Sequence, residues 1–244
     1  EDWLFNDPVY EEANRTFTKY PNQDYSFISF FGRVNYTLKD RYMFTGTFRR
    51  DGSSRFGENN KFGNFPAASV GWLITEEDFL KDNDVISLLK LKTGFGITGN
   101  AEIPNYAQWG SVSVNTTQLY MNQIYWYINN LKNPDLRWET TSTFDVGLEY
   151  GFLSNRISGE IGFYNKKSKD LFLNISVPSS SGYSTFLGNI GKVRNTGVEF
   201  NIKSVNITNR DFTWSTDFNI SWNKNEVLDV GNAGPDALQG EGDT

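Results

Sequence analysis

The feature that most constrains this chain is a two-residue period held over long runs. In residues 143–152, Phe144, Val146, Leu148, Tyr150 and Phe152 fall on one side, with Asp145, Gly147, Glu149 and Gly151 on the other. Successive side chains of an extended strand point to opposite faces, so this run predicts a β-strand with one apolar and one polar face. Phe212, Trp214, Phe218, Ile220 and Trp222 form a second row, in which Thr216 is the one polar member. Further rows are Val198, Phe200 and Ile202; Ile157, Ile161 and Phe163; and Tyr42, Phe44 and Phe48. Ile28, Phe30, Val34, Tyr36 and Leu38 form another, as do Leu89, Leu91, Phe95 and Ile97. These rows predict strands of roughly 9–13 residues, against the usual length of about 5–6. A strand tilted across a bilayer needs about 9–11 residues.

The connections alternate in length. Lys39-Asp40-Arg41 and Leu153-Ser154-Asn155 read as tight hairpin turns. Long polar loops are expected over Arg50–Phe65, from Gly99 to about Arg137, and over Pro178–Thr196. Short turns on one side and long loops on the other is the pattern of an outer-membrane barrel. One short-side link, Thr75–Ser87, is longer. Its opening "TEED" predicts a brief helix capped by Thr75 with Asp78 reciprocating, and Phe79 and Leu80 on the apolar side.

Alternation alone leaves two architectures open. A soluble sandwich turns its apolar face inward; a membrane barrel turns it out to lipid. Strand length favours the barrel. So do aromatics near the ends of the apolar rows, since amphipathic rings favour a membrane interface. Glycines on the polar rows suit a lumen packed by another element.

Composition removes other classes. The 23 Lys and Arg against 29 Asp and Glu give a charge of -6, opposite to the usual sign for nucleic-acid binding. With no Cys and no His, disulfides, thiolate sites, His-based triads and the usual zinc ligands are excluded. No run of about 18 apolar residues is present for a membrane helix. Both ends of the chain read as cut from something longer.

Gly94, Gly96 and Gly99 spell G-x-G-x-x-G, the dinucleotide fingerprint. That motif needs a tight turn and then a helix. Here Gly94 and Gly96 fall in an alternating strand, on the polar row with Lys90, Lys92 and Thr98, and Pro104 follows. The pair is read as wall glycines facing the lumen, allowing close approach of another backbone, with Gly99 as a terminal turn glycine. The carboxylates Glu76, Glu77, Asp78, Asp82 and Asp84 read as a solvated acidic turn, because no Gly-centred calcium loop accompanies them. Glu149 and Glu160 lie on strands joined by a short turn and could face one side, as a glycosidase pair would. Lumen-lining charge is the preferred reading. No cofactor, metal or enzyme activity is expected.

"FRRDGSSRFGENNKFGNFPAASVGWLITEEDFL" (48–80), the strand ending "GITGN" at Asn100, and "NPDLRWETTSTFDVGLEYGF" (133–152) resemble the SusC/RagA family of TonB-dependent outer-membrane transporters of Bacteroidetes. "NKKSKDLFL" and "GNIGKVRNTGVEF" match that family's next strands and loop, in family order. The resemblance implies a 22-stranded, all-β antiparallel barrel in the bacterial outer membrane, of which a chain of this length holds about 8–10 strands on the usual spacing of strands and loops. It implies a TonB complex acting through an N-terminal region absent here, a SusD-like lipoprotein lid, and a glycan or peptide substrate. The alternative kept beside it is a soluble all-β glycan-binding or adhesion module. Residues 1–24 are expected as an extracellular loop or lead-in, 25–229 as barrel segment, and 230–244 as loop to a truncated end. Tyr42, Phe44, Trp72, Tyr150, Phe152, Phe163, Phe200, Phe212, Trp214 and Trp222 are expected to face lipid; Gly94, Gly96, Glu149 and Glu160 to face the lumen. Tyr106, Trp109, Tyr120, Tyr125, Trp126 and Tyr127 crowd one outside loop as candidate contacts for substrate or lid, because aromatic faces stack on sugar rings and long loops carry function.

Overall fold

The computed structural model describes residues 24–80, 83–120, 123–177 and 185–231. Asp82 and the ends of the chain, including 1–23 and 232–244, lie outside the described residues. The fold is a single antiparallel meander. Eight strands form one sheet in the order β1 (Phe27–Leu38), β2 (Tyr42–Ser53), β3 (Phe62–Leu73), β4 (Ile86–Asn100), β7 (Glu139–Phe152), β8 (Ile157–Ser176), β9 (Thr185–Thr208) and β10 (Thr213–Asp229). A separate hairpin, β5 (Ser111–Tyr120) with β6 (Gln123–Asn130), is inserted between β4 and β7.

Register carries each apolar row across the sheet. Leu38 pairs with Tyr42, Tyr42 with Trp72, Trp72 with Leu91, Leu91 with Leu148, Leu148 with Ile161, Ile161 with Phe200 and Phe200 with Ile220. The apolar face is therefore continuous over eight strands. It is uncovered by any second layer of the described residues: Val34, Phe48, Phe95, Phe163, Phe218 and Trp222 are all exposed. The opposite face carries Arg33, Thr47, Ser69, Lys92, Glu149, Glu160 and Asn201, with Arg33 opposing Thr47 and Glu160 opposing both Glu149 and Asn201.

The two short links are hairpin turns, of three residues between β1 and β2 as expected and of four, Leu153–Arg156, between β7 and β8. Arg41 N–H donates to Leu38 O, with Lys39 and Asp40 both at positive φ. Arg156 N–H donates to Leu153 O around Ser154 and Asn155, also at positive φ. Both are mirror-image turns whose twist matches that of the flanking strands. The brief helix expected after Thr75 is only a 3₁₀ turn at Ile74–Glu76. Its N-cap is Leu73 and no side chain caps it, so Thr75 and Asp78 do not form the expected box; Phe79 is 72% exposed.

Several strands outrun the predicted 9–13 residues: β8 has 20, β9 24 and β10 17. The expected loop Arg50–Phe65 shrinks accordingly to residues 54–61, and β9 begins at Thr185 inside the expected Pro178–Thr196 loop. The ladder needs only backbone groups, so it continues past the level where side chains must be apolar.

The buried core sits at the long-loop end. Phe56 and Leu136 are fully buried, with Phe65, Ile103 and Trp138 nearly so.

Candidate functional site

Two sequence motifs far apart in the chain build this outer cluster together. In Asp51-Gly52-Ser53-Ser54-Arg55-Phe56-Gly57, Phe56 inserts beside Trp138, with ring centroids 4.7 Å apart. Gly57 N–H donates to Leu136 O at 3.0 Å. A side chain on Gly57 would strike the Pro134 carbonyl, so the site requires glycine there. In Asn133-Pro134-Asp135-Leu136-Arg137-Trp138, the buried Asn133 donates through Nδ2 to Leu187 O at 2.9 Å and accepts from Asp135 N–H. Trp138 Nε1 donates to Lys61 O at 3.2 Å, and its ring packs edge-on to Phe65 at 5.3 Å. Asn189 clasps Arg137 from both sides, accepting its N–H and donating to its carbonyl. The β2–β3 and β4–β7 connections are thereby fastened to each other and to the first residues of β9.

Beside that platform lies a pocket of about 70 Å³ lined by Asp24, Ser54, Arg55, Asn105, Tyr106 and Trp109. Arg55 spans it, donating to Asn105 Oδ1 at 2.8 Å and stacking its guanidinium 4.1 Å over the Tyr25 ring. Tyr106 has a positive φ of 65°, a conformation disfavoured for a non-glycine residue. Its ring stacks on Trp109 at 5.3 Å, and Trp109 is half exposed. Of the six candidate loop aromatics, these two share one site. Tyr120 belongs to β5, and Tyr125, Trp126 and Tyr127 belong to β6, where they pair with Asn115, Val114 and Ser113. The side chains of those four lie outside the described residues.

The polar face carries a second candidate, at the centre of the sheet. Glu149 and Glu160 are directly opposite each other on β7 and β8. Lys92 bridges them, at 3.1 Å from Glu149 and 2.7 Å from Glu160, and Lys90 lies 3.7 Å from Glu149. Each carboxylate is matched by ammonium, and no low-dielectric pocket separates an acid from a base, so this geometry does not favour the paired-carboxylate chemistry considered above. Next to the quartet runs a groove of about 310 Å³ bordered by Arg33, Thr47, Ser69, Gly94, Gly96 and Asp145. A Cβ on Gly94 would press on Asp145 Oδ1 at 3.0 Å, and one on Gly96 on Ala67 Cβ at 3.2 Å. Gly99 is a correction to the sequence reading. It lies within β4 and has no positive φ, so it is not a turn glycine. A side chain there would run into the Phe65 ring, so its absence makes room for the core.

The expected girdle aromatics occupy the apolar face at varied depth. Phe44, Phe163, Trp214 and Trp222 are exposed on it, as is Phe212 just ahead of β10. Tyr150 is buried to 8%: its ring lies over Gly159 and its hydroxyl donates to Asn201 O at 3.0 Å. Tyr42 and Trp72 stack at 6.5 Å and both donate to Glu77, at 2.5 and 3.0 Å. Arg41 adds an ion pair at 2.7 Å. These donors, Tyr42 first and Trp72 next, hold the Glu77 carboxyl below its usual range. Glu77 is therefore not part of a solvated acidic turn, whereas Glu76 and Asp78 are exposed. Spacing alone could not reveal this hub, because its donors come from two strand ends, Arg41 and Tyr42 at the start of β2 and Trp72 at the end of β3.

Comparison with known proteins places these features in context. The family described as TonB dependent receptor-like, beta-barrel matches residues 2–242. TonB-dependent receptor SusC of Bacteroides thetaiotaomicron is 42% identical over 206 residues, covering 82% of this chain and 20% of that protein. TonB-dependent receptor P26 of Formosa agariphila is 34% identical over 246 residues, covering 98% of this chain and 25% of that one. The structure of the RagAB peptide transporter superposes with a TM-score of 0.77 at 32% identity, over 86% of this chain and 23% of that chain. The chain thus spans about a fifth to a quarter of the length of the curated relatives it matches.

Proposed function

This chain belongs to the TonB-dependent receptor-like β-barrel family, and on that premise we propose that residues 25–229 form part of the wall of an energised outer-membrane importer. The family is one of outer-membrane receptors and transporters, not of enzymes. The observation that carries the reading is the two-faced sheet: one face exposed and apolar across eight strands, the other lined with ion pairs and hydroxyls. In a membrane barrel the first face meets lipid and the second the lumen. On this reading Phe44, Phe163, Trp214 and Trp222 are lipid-facing, and Gly94, Gly96, Glu149 and Glu160 line the channel. A soluble adhesion module would leave the apolar face in water, which single domains avoid over so large a patch.

The whole transporter works with a SusD-like lipoprotein and the TonB complex, and imports a glycan or peptide. The SusC relative and the RagAB peptide transporter support a lipoprotein-partnered importer of either class. The exposed Tyr106–Trp109 stack at the long-loop side supports contact with substrate or lid. The test is uptake by cells carrying the full-length protein. Trp109→Ala with Trp126→Ala should lower uptake or the yield of the lipoprotein complex. Unchanged growth on the cognate substrate and an intact complex would remove that role.

A further inference from the structure

Above the apolar belt, the outward face of β8, β9 and β10 turns abruptly basic. Alternation along β8 takes Phe163 to Asn165, Lys167 and Lys169; along β9 it takes Val198 to Thr196, Arg194 and Lys192; along β10 it takes Trp222 to Lys224. Register sets these side by side: Lys167 directly opposes Arg194, and Lys169 directly opposes Lys192. Like charges in direct cross-strand register repel. β10 supplies two carboxylates to this patch, Glu226 at 3.8 Å from Arg194 and Asp229 at 2.7 Å from Lys192. Among the described residues no carboxylate lies within ion-pair distance of Lys167, Lys169 or Lys224, and all three are exposed. Five cations thus have two carboxylates within ion-pair distance; Asp170 also acts on Lys192 but is held by Arg137 at 2.9 Å.

Depth supplies the second argument. At about 3.3 Å of rise per residue and a tilt of about 40°, each residue climbs about 2.5 Å. Lys167 stands ten residues beyond Ile157 at the turn end of β8, which puts it about 25 Å up, the height of a barrel's apolar band. Lys224 follows Trp222, an aromatic of the kind that marks the interface. The cluster therefore lies at the level of outer-leaflet headgroups and not in the open water above them.

We propose that Lys167, Lys169, Arg194, Lys192 and Lys224 form a binding site for an outer-leaflet lipid with a phosphate-bearing headgroup, its acyl chains lying along Phe163, Val198 and Trp222. Phosphate between the opposed cations relieves their repulsion, through charge-assisted hydrogen bonds to Arg and Lys. The inference rests on the lipid-facing reading of this surface given above.

The experiment uses the full-length protein in detergent or nanodiscs. Native mass spectrometry measures binding of phosphorylated lipid A, of the same lipid with its phosphate removed, and of inorganic phosphate as competitor. The wild type should bind the phosphorylated lipid at least tenfold more tightly than the dephosphorylated one. Lys167→Gln/Lys169→Gln/Lys224→Gln should abolish that preference, while Lys132→Gln leaves it intact. The single Lys224→Gln, expected to lose about threefold, serves if the triple variant fails to fold. Equal affinity for both lipids, an unaltered preference in the variants, or full displacement by inorganic phosphate overturns the proposal. Quenching of Trp222 by brominated acyl chains separates the two readings. Without quenching, the lipid-facing assignment fails and this inference with it. Quenching without headgroup preference defeats this inference alone.

Discussion

Glu77 shows how one side chain fixes a chain reversal. It accepts from Arg41, Tyr42 and Trp72, so the β3–β4 link is tied to the ends of two strands. Because its folded pKa is lowered, its contribution is fully present above the unfolded carboxylate value of about 4.3 and is lost as pH falls through the folded value. Glu77→Gln should therefore lower the melting temperature of the full-length protein at neutral pH. The gap to wild type should close on acidification below about pH 4; a gap independent of pH would refute the assignment. Lys92 offers a second test at this scale. Lys92→Met leaves Glu149 opposite Glu160 and should cost up to about 1 kcal/mol, recovered by adding Glu160→Gln. Denaturant titration of the single and double variants measures the coupling. Glycine works at the same scale by making room for aromatic rings. Tyr150 covers Gly159 on the apolar face, and Tyr164 covers Gly197 on the polar one, where its hydroxyl reaches Asn223 Oδ1 at 3.2 Å.

Among the elements, the connections between strands matter most. The outer platform joins the β2–β3 and β4–β7 connections to β8 and β9 through Phe56, Leu136 and Trp138, with Phe172 and Leu187 packed against them. Trp138→Ala should cost the platform about 3–5 kcal/mol, the usual range for a buried large aromatic. Limited proteolysis mapped by mass spectrometry should then show faster cleavage in residues 54–61 and 131–137, with the strands still protected. Uniform cleavage throughout would mean that the core supports the whole sheet and not its loops alone. Seven strands of the main sheet were legible from alternation, which is a local property and survives without knowledge of partners; β3 carries no such row, and β5 and β6 lie inside the expected loop from Gly99 to about Arg137. The upper parts of β8 and β9 were not. Asn165, Lys167 and Lys169 keep the ladder but drop the apolar signal that marks a strand. Nor did spacing reveal that Phe56 meets Trp138, or that Lys92 spans two carboxylates, since both depend on register between distant segments. The bulge at Asp170, with φ of 60°, is likewise a tertiary feature: it shifts pairing between Lys169 and Leu171.

At the scale of the whole molecule, the two ends of the sheet differ. The turns at 39–41, 153–156 and 209–212 lie at one end of the sheet, and the fastened connections at the other. An epitope inserted at Glu58 in the full-length protein should be labelled on intact cells. One at Ser154 should be labelled only after the outer membrane is permeabilised. Reversed or equal labelling would invert the assignment of loops to the outside.

The meander also has a parity. Eight strands take the chain in at Phe27 and out at Asp229 on the same side, and the inserted β5–β6 hairpin preserves that count. A stretch of this kind is an exchangeable cassette. Recombination that trades it for another even set of strands leaves every later loop in its own compartment. Loss or gain of a single strand would turn the remainder of the barrel inside out with respect to the cell. Evolution of such transporters can therefore shuffle hairpins, but not strands.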